Sequence, residues 1–116
     1  MTSALHYMEL HELALRINTR EISPVEVTAH QFERIKALDP ELHAFALLME
    51  DRAMQQARDA EGAIARGEYR GFLHGIPLAL KDIFDIQHYP TMAGMPLRKD
   101  TIAAQNATVV DRLAAA

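Results

Sequence analysis

The chain of 116 residues contains no cysteine and no tryptophan. Without thiols, disulfides, thiolate metal sites and a cysteine nucleophile are excluded. Long apolar runs are also missing: no stretch approaches the roughly 18 residues that a membrane-crossing helix needs. The first residues, Met1-Thr2-Ser3-Ala4-Leu5-His6, have neither the basic start nor the apolar centre of a secretory signal. Basic residues are scattered in runs no longer than Arg98-Lys99, and the formal charge is -4, so a clustered basic surface for nucleic acid is not expected. A soluble cytoplasmic protein with no membrane or nucleic-acid partner is the expectation.

What is present fits a globular domain. Apolar residues make up 49% and charged residues 24%, which is enough to build one core and too little net charge for disorder. The chain is long enough for one domain and too short for two ordinary ones. It carries no internal repeat. Composition shifts near Gly67, from a charged, helix-like region to one where Gly71, Gly75 and Gly94 alternate with Pro77, Pro90 and Pro96.

Periodicity predicts a helix over Tyr7–Asn18, with Leu10, Leu13, Ala14 and Ile17 on one face. Ser23-Pro24 with Glu26 announces a second helix through a capping box and a proline at its first position. Its apolar face would be Val25, Ala29, Phe32, Ile35 and Leu38, and Asp39-Pro40 should end it. Ala44 to Leu48 reads as a short buried strand. A third helix to about Arg66 would bury the small face Ala53, Ala57, Ala60 and Ile64. Leu78 to Ile86 reads as a second strand and Thr91 to Lys99 as loop. A last helix begins near Ala107, with Asn106 as its cap.

The residues with the most chemical content lie between Leu73 and Gly94. On a strand, Ala79 and Lys81 would share one face and Leu78 and Leu80 the other. A lysine inside an apolar strand must reach water, find a partner or lose its proton, and one that loses its proton can serve as a general base. A lone lysine beside Asp82 is equally the ordinary form of an exposed ion pair. Six histidines are present, but none is paired at metal-ligand spacing; His6 and His11 fall on different helix faces. Asp82 and Asp85 are read as orienting backbone or pairing locally, His74 as a structural hydrogen-bonding residue.

The run His74-Gly75-Ile76-Pro77-x-x-x-Lys81-Asp82, then Asp85 and Pro90-Thr91-x-x-Gly94, resembles the N-terminal motif of the amidase-signature family. About nine fixed positions at fixed spacing carry the resemblance. Glu21-Ile22-Ser23-Pro24-Val25-Glu26, Arg34-Ile35 with Pro40 and Ala44-Phe45, and Ala107-Thr108-Val109-Val110 with Arg112-Leu113 extend it from about Leu10 to the end. Met95 departs from the pattern, since many relatives carry serine there.

The resemblance implies an α/β fold with a mixed sheet, of which this chain would hold the N-terminal helices and first strands. It would be a partial domain over residues 1–116: a helical region, 1–67, and a region with the catalytic-lysine strand, a loop and the start of a helix, 68–116. It implies hydrolysis of a carboxylic amide C–N bond by a Ser–cis-Ser–Lys triad. In that scheme Lys81 is the base, the substrate is a small-molecule amide, and no metal or cofactor takes part. The serines here are Ser3 and Ser23, neither in a glycine-rich loop, so the resemblance implies a truncated chain, inactive alone, whose uncovered strand leaves room for a homo-oligomer. The alternatives are a non-catalytic remnant or interaction module, and part of a tRNA-dependent amidotransferase.

Overall fold

The computed structural model describes residues 2–116. Residues up to Pro77 form one compact unit and Leu78–Ala116 a second.

The first unit opens with a 3-10 turn, Thr2–Tyr7, followed by α1 (Leu10–Asn18), α2 (Pro24–Leu42) and α3 (Glu50–Ala65). In α1, Leu13, Ala14 and Ile17 are buried, while Leu10, expected on the same face, is half exposed. Ser23 caps α2 as anticipated: its hydroxyl accepts the amides of Val25 at 3.0 Å and Glu26 at 3.4 Å. The return bond of a capping box does not form. Instead the Ser23 hydroxyl donates to the Glu61 carboxylate on α3, so one side chain both starts α2 and ties it to its neighbour.

The buried face of α2 is Pro24, Val27, Thr28 and Phe32, shifted from the face that periodicity favoured; Leu38 is exposed. On α3, Ala57, Ala60 and Ile64 are buried, as spacing predicted, while Ala53, expected on the same face, is half-buried. Leu5, Leu13, Ile17, Ile22, Val27 and Ile64 meet in one cluster, with Met8, Tyr69 and Ile76 against it. Ile17 and Val27 are fully buried, and each such side chain stabilises the fold by about 1.5–3 kcal/mol.

α1 starts at Leu10 rather than the expected Tyr7, and the exit of α2 and the segment after it also differ from expectation. Asp39-Pro40 does not end α2, which runs on to Leu42. Proline this close to a helix end forfeits little of the ladder. The exit is instead shaped by His43 at φ 51°, whose amide donates to the Asp39 carbonyl, and by the Asp39 carboxylate, which accepts the amides of Ala44 at 2.7 Å and Phe45 at 3.3 Å. The segment after it, 44–48, is not a strand, and Phe45, Leu47 and Leu48 are exposed.

The second unit holds a 3-10 turn, Pro96–Arg98, and one helix, α4 (Thr108–Ala115). The expected strand over Leu78–Ile86 is irregular chain with one turn at 82–84. Among the described residues there is no strand, only an antiparallel bridge of Pro90 with Ile102. Its flanking bonds run from His88 N to Ala103 O and from Ala103 N to Tyr89 O, both 3.0 Å. A strand is a property of a pair: without a ladder partner, neither apolar segment has the bonds that define one. Asn106 is not the cap of α4; that position is Ala107. Asn106 instead accepts the Gln87 amide at 2.7 Å and donates to Asp111 at 2.8 Å. None of the described helices is long and apolar enough to cross a membrane.

Candidate active site

The motif divides between the two units. In the first, residues 69–77 fold back through a turn at 72–75. His74 is buried, and its Nδ1 accepts the Arg70 amide at 3.1 Å. Its ring stacks on Tyr69 with centroids 6.0 Å apart. Burial lowers the imidazole's proton affinity from the ordinary value of 6.5, and the positive charge of Arg70 lowers it further. Gly75 has φ +85°, and a Cβ there would stand 2.8 Å from Pro24 Cγ. Glycine is required on both counts: the backbone is left-handed, and the first residue of α2 occupies the space a side chain would fill.

In the second unit, Lys81 lies on a turn. Its carbonyl accepts the amides of Ile83 at 2.8 Å and Phe84 at 3.2 Å. The residue is exposed, not enclosed in an apolar strand, and its amine has no hydrogen-bond or ion-pair partner among the described residues. Asp82 is not its ion-pair partner. The Asp82 carboxylate accepts the Met92 amide at 3.0 Å, and the Asp82 carbonyl accepts the Ala93 amide at 2.9 Å. One residue therefore staples two consecutive amides of a distant loop to the position next to the lysine.

Asp85 makes a second staple. Its carboxylate accepts the Thr91 hydroxyl at 2.7 Å, and its carbonyl accepts the Ala107 amide at 2.9 Å. Thr91 is buried, and its carbonyl accepts Arg98 Nε at 3.1 Å. The Asp82 carboxylate thus holds backbone, as was expected of both carboxylates, whereas that of Asp85 holds a side-chain hydroxyl. Reasoning from the sequence named Thr91 only as part of the motif and Asn106 only as a helix cap, and did not anticipate the bonds that either makes. Among the described residues, no group of three or more histidine and carboxylate side chains comes together as a metal site would require.

This arrangement presents a free amine on a braced turn, beside a loop whose register is fixed. Among the described residues of the second unit there is no serine.

Comparison with known proteins places these motifs. The family model described as Amidase matches residues 26–116. The chain is 43% identical over 113 residues to the provisionally named amidase AmiD of Mycobacterium tuberculosis, covering 97% of this chain and 24% of that protein. It is 42% identical over 102 residues to a glutamyl-tRNA(Gln) amidotransferase subunit of Acidothermus cellulolyticus, covering 88% and 20%. A solved chain from a vestigial protein complex, described as revealing the evolutionary origins of an s-triazine catabolic enzyme, superposes with a TM-score of 0.88 at 30% identity. That superposition covers 93% of this chain and 24% of the other. The chain spans about a fifth to a quarter of the length of the relatives it matches. On motif, sequence and backbone together, this chain belongs to the amidase family.

Proposed function

We propose that the chain supplies the lysine of an amidase that hydrolyses a carboxylic amide C–N bond, with Lys81 as the general base of a Ser–cis-Ser–Lys triad. The observation that carries this reading is the pairing of a free Lys81 amine with a turn braced through Asp82 to Met92 and Ala93. A base must keep its own lone pair uncommitted while its backbone is held in place, because misplacement erodes the benefit of orientation.

In this reading the nucleophilic serine and its relay lie on sequence that the chain does not contain. The serine attacks the amide carbonyl while Lys81, through the second serine, takes its proton. The same amine then returns a proton to the departing nitrogen. Backbone N–H groups of a glycine- and serine-rich loop stabilise the oxyanion. The substrate is a small-molecule amide, and the chain alone is inert.

Two assays test this. The 116-residue chain, incubated with aliphatic and aryl amides, gives no turnover; hydrolysis that disappears in Lys81→Ala would overturn the assignment of the nucleophile to missing sequence. In an active amidase containing this segment, Lys81→Ala and Lys81→Arg each lower kcat by about 10⁴-fold or more, the scale seen when one member of a catalytic unit is removed. Arginine keeps the charge but cannot give up its proton, so a Lys81→Arg enzyme with near-normal turnover would reduce the residue to a fixed charge.

A second reading follows from the 42% identity to an amidotransferase polypeptide: the chain is part of a larger assembly that releases ammonia for transfer to an acylated tRNA. Glutamine-dependent amidation that requires added partner proteins would favour it over free amide hydrolysis.

A further inference from the structure

The turn over residues 69–77 contains a buried imidazole for which the proposed hydrolysis has no use. His74 is 3% exposed. Its Nδ1 accepts the Arg70 amide at 3.1 Å. Its own amide donates to the Gly71 carbonyl at 3.0 Å, and the Ile76 amide donates to the Leu73 carbonyl at 3.1 Å. Only a neutral imidazole with its proton on Nε2 can accept at Nδ1. Protonation would set an N–H against the Arg70 N–H at a separation of 3.1 Å, leaving two donors facing each other and a cation out of water.

The turn matters for what it seats. It brings Gly75 against the Pro24 ring and Ile17, and Ile76 against the core cluster. From Pro77 the chain runs on to the Lys81 segment. We propose that His74 is an acid-sensitive latch of this turn: its neutral form ties the turn at the Arg70 amide, and protonation releases it.

The surroundings favour this direction. Arg70 is the charged group that acts on the ring, and its effect opposes protonation, as does burial. Tyr69 is the titratable ring beside it. Among the described residues no carboxylate bonds or ion-pairs with His74 to stabilise the cation. The imidazole's proton affinity in the fold lies below its ordinary value of 6.5, so the unfolded chain binds the proton first. The latch is therefore intact above about pH 6.5 and weakens as pH falls below that value towards the lower folded one. The latch does not depend on Lys81; only its bearing on catalysis rests on the reading of Lys81 as base.

The test uses the 116-residue chain as it is. Hydrogen-exchange protection factors for the Arg70, His74 and Ile76 amides are compared between pH 7.5 and pH 5, with α3 as internal reference. The expected result is a several-fold loss at pH 5 confined to the turn. His74→Gln, whose side-chain oxygen accepts but does not titrate, keeps the pH 7.5 protection and loses the pH dependence. Should that variant fail to fold, the ring nitrogens of the unaltered chain are followed by NMR, expecting the Nε2–H tautomer and a titration below the ordinary range. Titration of His74 at its ordinary value, or turn protection that is the same at both pH values, overturns the proposal. Because no activity is measured, loss of the Lys81 reading leaves this outcome unaffected.

Discussion

Gly67 and Gly75 make a matched pair from which the steric demand of the motif can be measured. Their φ angles are +84° and +85°, but a Cβ on Gly67 meets nothing within 4 Å, whereas one on Gly75 meets Pro24 Cγ at 2.8 Å and Pro24 Cβ at 3.2 Å. Alanine at either position bears the left-handed backbone penalty of about 1–2 kcal/mol. Alanine also removes unfolded-state freedom worth about 0.4–1 kcal/mol, equally at both sites, so this cancels in the comparison. At Gly75 the extra methyl pushes on a proline ring fixed at the start of α2, where it is buried. A rigid neighbour cannot rotate away, and overpacking of this kind costs about 1–3 kcal/mol. Gly75→Ala should therefore lose about 1–3 kcal/mol more than Gly67→Ala in urea unfolding of a monomeric sample followed by circular dichroism. In a Pro24→Ala background, which removes Cγ, that excess should shrink, giving a coupling energy of about 1 kcal/mol or more. Equal losses for the two alanine variants would refute the close approach of Gly75 to α2.

Removing the α2 cap by Ser23→Ala should destabilise the first unit by about 1 kcal/mol, read as a shift in urea midpoint without a change in slope. In the second unit, Thr91→Val keeps shape but leaves Asp85 without its hydroxyl donor. Exchange of the Met92 and Ala93 amides should rise by about five-fold, corresponding to a bond worth about 1 kcal/mol, while Thr91→Ser restores it. Residues 78–86 of the isolated chain, apart from any amide bonded within their turns, should exchange far faster than α2 and α3; strong protection across that span in a monomer would show a self-sufficient second unit.

The helices were legible because their information is local. Ser23-Pro24 fixes the start of α2, and the spacing of Ala57, Ala60 and Ile64 fixes the buried side of α3. Pro40 misled because the rule that helices stop before proline ignores the Asp39 carboxylate, which receives the next two free amides. The strand readings of 44–48 and 78–86 came from apolar content alone, and no residue in a segment can specify a partner that lies elsewhere. Within the site, the motif identified Lys81, Asp82 and Asp85. The roles of the two aspartates depended on which amides and hydroxyls stand opposite them several residues later, which spacing does not reveal.

The double attachment of Asp82 to Met92 and Ala93 bears on how such a protein can change over generations. It closes the intervening chain into a loop whose two ends are pinned, and Gln87 and His88 within that loop are themselves held by Asn106 and the Ala103 carbonyl, so an insertion or deletion near them must break one of those bonds. Beyond Ala93 the ties are local, from the Met95 amide to the Met92 carbonyl and from Arg98 Nε to the Thr91 carbonyl. The side chains of Met95 and Leu97 are exposed on that stretch. Substitutions of those exposed side chains can therefore accumulate after Ala93 while the bonds that brace the Lys81 turn stay as they are.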